Sequence, residues 1–239
     1  AFLAAAGAIG WAGTGLARMA DQLADRTGLG EALTGTIFLA VSTSLPGLVA
    51  SITAALEGRP ALAISNAIGG IAVQTVFLAV ADISYRKANL EHAAASVENM
   101  IQAVLLIIML SLTLVGLTGP DITIGPVHPV TPLLPLTAIF GLIMVRRSST
   151  DPMWRPRRTR FTVPDVPDEG AQRMHLGLLI SAFAGTALVV MIAGAVIATT
   201  TGVIADRTGM SETLAGALLS GVVTSLPELV TTLAAVRRG

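Results

Sequence analysis

The chain has 239 residues, with 15 Lys+Arg against 15 Asp+Glu, 53% hydrophobic and 13% charged residues, and a mean hydropathy of +0.75. That composition excludes an ordinary soluble domain, which needs a polar shell, and points to a membrane protein. The zero net charge specifies no partner, and the lack of cysteine excludes disulfides and thiolate metal sites without fixing a redox compartment.

Apolar runs bounded by charged or Gly/Pro-rich breaks predict seven helices at about 1–24, 32–56, 61–83, 99–118, 130–146, 176–201 and 211–236. The runs are long enough to cross about 30 Å of hydrocarbon. They are too long and too rich in Ala, Leu and Gly for strands, whose open edges lipid cannot satisfy. The expected fold is an all-α integral membrane bundle with many spans. Ala1–Ala20 lacks a basic n-region and reads as a span rather than a signal peptide, and with no initiator Met the N-terminus is expected to be clipped. The layout divides into a first half at 1–146, a loop at 147–175, and the start of a second half at 176–239.

Orientation follows from the basic residues, which collect in short cytoplasmic loops. Arg146, Arg147, Arg155, Arg157, Arg158, Arg160 and Arg173, interleaved with prolines, place the 147–175 loop in the cytoplasm and predict it to be poorly ordered. Counting spans from there puts Arg86, Lys87, Arg18, Arg26, Arg237 and Arg238 inside, and Asp121 and His128 outside. Arg59 and Arg207 are the exceptions. The reading is a bacterial plasma-membrane protein whose basic loop meets anionic lipid rather than nucleic acid.

The segment Ala24–Gly58 returns as Ala205–Gly239 without a gap, at a constant offset of 181 residues, with about half the positions identical. The predicted span count between the copies is odd, so they run in opposite directions and form an inverted repeat. Such repeats, with a broken helix in each half, are a recurring transporter design whose substrate site lies near the midplane. The copies differ at one telling position. The first reads Thr43-Ser44-Leu45-Pro46-Gly47, the second Thr224-Ser225-Leu226-Pro227-Glu228.

Pro46 and Pro227 have no N–H, so carbonyls near Ser42 and Val223 lose their helical partners. In hydrocarbon those oxygens need a replacement, and a dehydrated cation can serve. The hydroxyls of Thr43, Ser44, Thr224 and Ser225 add oxygen ligands that suit hard cations such as sodium or calcium. Each hydroxyl has an equally good alternative in bonding back to its own helix. Glu228 is the first candidate, because an ionised group deep in a span costs at least about 2.5 kcal/mol and marks function by default. Its plainer alternative is a protonated Glu bonded to a neighbouring helix. Asn66, Gly70 and Gln74 share a helix face, where Asn66 and Gln74 serve either cation coordination or helix packing.

His92, His128 and His175 lie in predicted loops or termini without partners at metal-ligand spacing, and no nucleotide loop or nucleophile–base set can be placed, so an enzyme is not expected. No resident cofactor is expected. The partners are lipid and inorganic cations, with the oligomeric state open.

The stretches GTIFLAVSTSLPGLVASITAALEG and GALLSGVVTSLPELVTTLAAVRRG, with the basic loop between the fifth and sixth helices, resemble the calcium/cation antiporter superfamily, to which sodium/calcium exchangers belong. The resemblance implies ten helices in two inverted halves, exchange of sodium or protons for calcium, and a coordinating glutamate in each TSLPEL. It implies α-repeats at 24–83 and 205–239, the latter truncated, and so a fragment. Only Glu228 inherits the glutamate role, since Gly47 stands in the other copy. The family's G-S-N-x-x-N reads Gly69-Gly70-Ile71-Ala72-Val73-Gln74, with Ile71 at the first asparagine. Both departures put calcium in question and leave room for a monovalent exchanger or a degenerate homologue.

Overall fold

A computed structural model describes residues 1–27, 34–85, 88–120, 122–125, 127–150 and 175–238, together with 157, 159 and 162. The expectations for Arg86, Lys87 and Asp121, and for most of the 147–175 loop, lie outside the described residues.

Among the described residues the regular structure is helical: α1 Phe2–Thr27, α2 Thr34–Leu56, α3 Pro60–Ser84, α4 Leu90–Ala93, α5 Val97–Thr118, α6 Val130–Thr150 and α7 Leu176–Thr208. A discontinuous segment follows: α8 Glu212–Ala215, a π-turn Gly216–Ser220, α9 Gly221–Thr224 and α10 Leu226–Arg238. Local chemistry sets the ends. Pro60 occupies the first turn of α3, where its missing N–H costs nothing. Ser96 caps α5 by accepting from the Asn99 amide at 3.0 Å. Gly209, in the left-handed region with φ 72°, ends α7.

The seven expected helices are present, with three corrections. α7 runs to Thr208 rather than stopping near 201, because nothing in TTTGVIADRT breaks a helix before Gly209. The seventh segment is split into pieces. And α1, at 26 residues, is not apolar enough to count as a span by composition, since Ala and Gly fill it and Arg18, Asp21, Asp25 and Arg26 sit near its end. Among the described residues, five helices are long and apolar enough to cross a membrane, or six if the bent pair Glu212–Thr224 and Leu226–Leu233 forms one span. The chain is an all-α, multi-span membrane protein.

Two compact units form, one of α1–α3 with α7–α10 and one of α4–α6. In the first, lipid offers no hydrophobic drive between helices, so small residues that permit close approach do the work. Ile9, Ala193 and Ile197 are buried together, and so are Ala12, Leu16 and Val190. The repeat offset converts one set into the other: Ile9 corresponds to Val190, Ala12 to Ala193 and Leu16 to Ile197. α1 and α7 therefore pack on each other reciprocally. A third cluster, Ala50, Ala54, Leu62, Ala63 and Ala198, joins α2, α3 and α7. In the second unit α5 and α6 pair, and between them Gly125 takes a positive φ beside an antiparallel bridge between Ile124 and Val127.

Candidate cation site

Each proline is seated against a glycine of the opposite copy, Pro46 by its backbone and Pro227 by its ring. A Cβ at Gly194 of α7 would lie 2.6 Å from the Pro46 carbonyl oxygen, and one at Gly13 of α1 would collide with the Pro227 ring. Gly13 and Gly194 are repeat equivalents, as are Pro46 and Pro227. Each copy thus supplies a glycine notch that admits the other copy's proline, and both TSLP segments are drawn against the α1–α7 pair.

The segments respond differently. α2 continues as a helix through Pro46, so the expected break in the first copy is not found. In the second copy the helix stops at Thr224, Ser225 takes φ −94° and ψ 5°, and the chain bends by 44° before α10. The Val223 carbonyl freed by Pro227 accepts the Ser225 backbone N–H instead. The π-turn just upstream is the other irregularity, and π-turns gather at functional sites.

Glu228 sits in the first turn of α10 and faces α2. Ser44 Oγ donates to Glu228 Oε1 at 3.4 Å, and Thr43 interacts with the same carboxylate. Glu228 Oε2 is buried with no hydrogen-bond partner. An unsatisfied carboxylate oxygen in a water-poor interior costs several kcal/mol, which a cation or proton would remove. Ser42 and Thr43 hydroxyls also bond back, to Phe38 O at 2.7 Å and Ala40 O at 3.1 Å, leaving oxygen lone pairs for a ligand.

Asn66, Gln74, Thr224 and Ser225 form a second group. Asn66 Nδ2 donates to Gly47 O at 3.0 Å and Ser51 Oγ at 2.8 Å. Its Oδ1 accepts from Ser220 Oγ at 2.6 Å and Thr224 Oγ1 at 3.4 Å. Thr224 Oγ1 also reaches Ser220 O at 2.9 Å, and Gln74 Nε2 meets Ser225 Oγ at 3.5 Å. Asn66 therefore ties α2, α3 and the broken segment together. Gly69, Gly216 and Gly221 make the crossing possible, since a side chain at any of them would strike the facing backbone.

The eight expected site residues fall on one seam, in two clusters: Glu228, Ser44 and Thr43 with Ser42 behind them, and Asn66, Gln74, Thr224 and Ser225. Ser51 and Ser220 were not expected. For Ser220 a signal existed, since it stands one helical turn before Thr224 and so shares its face. For Ser51 there was none, because its role depends on how α2 meets α3. At the end of the unit, Arg59 bonds Asp206 at 2.5 Å and Glu212 at 2.8 Å, with Gly202 beneath its stem. The hydrogen bond to Asp206, opposed in part by desolvation, holds the Arg59 pKa above its usual value.

The sodium/calcium exchanger protein family model matches residues 1–148 and 177–239, nearly the whole chain apart from the basic loop. The chain belongs to that family, a class of membrane cation transporters. No curated protein and no solved structure matches it.

Proposed function

We propose that the chain is a secondary active cation antiporter whose cation binds near the midplane between the two TSLP segments, with Glu228 as its charged ligand. The observation that carries this is the buried, unpartnered Glu228 Oε2 beside the Ser44 and Thr43 hydroxyls. Oxygen ligands alone fit a hard cation, sodium, calcium or a proton in exchange. The reciprocal proline notches support two inverted repeats, which supply a pair of alternative packings about one site. The basic 147–175 loop faces the cytoplasm of a bacterial cell, by the charge bias of the loops. Gradient-driven cation flux into proteoliposomes tests the reading: Glu228→Gln abolishes it, and unchanged flux in that variant removes Glu228 from the site.

A second reading is a degenerate homologue that keeps the fold without calcium transport. Its motive is Gly47, which leaves no carboxylate opposite Thr224, although a Cβ there would lie an unstrained 3.5 Å from Thr224 Oγ1. Retention of the Glu228 site with its orphaned oxygen weighs against complete degeneracy.

A further inference from the structure

We infer that Arg59 is an ionic latch, holding closed the entrance to the seam at the C-terminal end of α7. This rests on the reading above, in which the two repeats have alternative packings about Glu228, and it names a group that biases them. Arg59 and Arg207 are the basic residues that the charge bias of the loops leaves on the outer side. Arg59 has a local reason to be there.

The α2–α3 turn that carries Arg59 is rigid. Gly58 takes φ 75° and donates to Ala55 O at 3.1 Å, the Arg59 N–H donates to Ala54 O at 2.9 Å, and Pro60 starts the next helix at once. From this base the turn grips one face of α7, since Thr199, Gly202 and Asp206 are spaced by three and four residues. Thr199 Oγ1 donates to Glu57 Oε1 at 2.5 Å. The Arg59 stem crosses Gly202, where a Cβ would lie 2.8 Å from Nε. Its guanidinium donates to both Asp206 oxygens, at 2.5 and 3.0 Å, and to Glu212 Oε1 at 2.8 Å. One side chain thus ties α7, the partner of α1, to the α2–α3 turn and to the start of the broken segment.

Beneath the latch the closed packing has a flaw. Ala198 of α7 is buried against Ala50, Ala54, Leu62 and Ala63 of α2 and α3. Thr201 and Ala205 continue that face at helical spacing, and both are buried. The Thr201 hydroxyl has no hydrogen-bond partner. A buried polar group left unsatisfied carries a penalty that water would lift. Separation of α7 from the α2–α3 turn admits water there, and Arg59 opposes it. Partly exposed ion pairs are weak, so the latch sets a bias that transport can reverse.

The chain has no cysteine, so a single introduced one reports alone. Thr201→Cys forfeits no hydrogen bond, and its reaction with a charged maleimide, on the full chain in detergent, measures opening. Arg59→Gln in that background should speed labelling about fivefold, the scale of a partly exposed ion-pair cluster, while the melting temperature moves little. Arg59→Lys should fall between, because it keeps the charge without the fork. High salt should speed the parent and leave the Arg59→Gln chain unchanged. Val190→Cys, buried against Ala12 and Leu16 about three turns away on α7, should stay slow with or without Arg59. Labelling of Thr201→Cys that differs by less than about twofold between Arg59 and Gln overturns the latch. Equal acceleration at Val190→Cys also overturns it, since the whole unit would then have loosened. Flux in proteoliposomes separates this from the cation site: flux that ignores Glu228→Gln, with labelling still dependent on Arg59, removes the site and leaves the entrance.

Discussion

The two TSLP segments began as one sequence and now do different work. In α2 the helix continues through Pro46, the hydroxyls of Ser42 and Thr43 bond back to it, and Gly47 offers only a carbonyl, which Asn66 takes. In the other copy the helix breaks at Ser225, a π-turn precedes the break, and Glu228 stands in the first turn of the next helix with one oxygen unpaired. A proline is therefore not enough to break a membrane helix. The Ser42 and Thr43 hydroxyls bond back to Phe38 O and Ala40 O, not to the Ser42 carbonyl that Pro46 leaves without its N–H. The irregularity survives in the copy that also keeps the carboxylate.

Breaking this asymmetry where it is greatest means changing Glu228. Glu228→Gln removes the carboxylate that faces Ser44 and Thr43 and should reduce cation flux to background, measured in proteoliposomes under an imposed ion gradient. Gly194→Ala tests the notch shared by the repeats. Its methyl would meet the Pro46 backbone at 2.6 Å, and overpacking of this kind costs about 1–3 kcal/mol, read as a lower melting temperature in detergent. Gly13→Ala should show the same loss if the repeats are equivalent, because it strikes the rigid Pro227 ring.

Asn66→Ala should separate tie from ligand. It removes the acceptor of the Ser220 hydroxyl and the donor to the Gly47 carbonyl, a cost of about 1–3 kcal/mol. Stability should fall while the residual folded protein keeps sodium affinity within a few fold. A sodium affinity lost at unchanged stability would make Asn66 a ligand instead.

The smallest effect is expected of Arg59→Gln. Asp206 is more than half exposed, so solvent screens most of that pair. Because the Arg59 pKa is raised, its contribution persists below the unfolded-state pKa and is lost only above the folded one, beyond the usual alkaline range. Salt rather than pH is the lever, and the difference between wild type and variant in melting temperature should shrink in high salt.

Much of this was legible in the residues. Helix positions followed from apolar length, and the seam from the internal repeat, because TSLP, Glu228 and the Asn66–Gln74 face are local patterns. What was hidden depends on neighbours. The course of α2 through Pro46 goes with its seat against Gly194 of α7, the end of α7 comes from a single left-handed glycine, and the use of both ends of Asn66 from a crossing that only the packed helices define. The notches were half visible: Gly13 and Gly194 share the repeat offset, but nothing in either sequence says that a proline from the other copy fills them.

The central claim is that a cation lies against Glu228 and not against Gly47. Crystals of the chain soaked in a thallium(I) salt, with the ion located by its anomalous scattering, test it most directly. The account predicts one peak within coordinating distance of the Glu228 carboxylate and the Ser44 hydroxyl. A peak between Gly47 and Thr224, with none at Glu228, would contradict it.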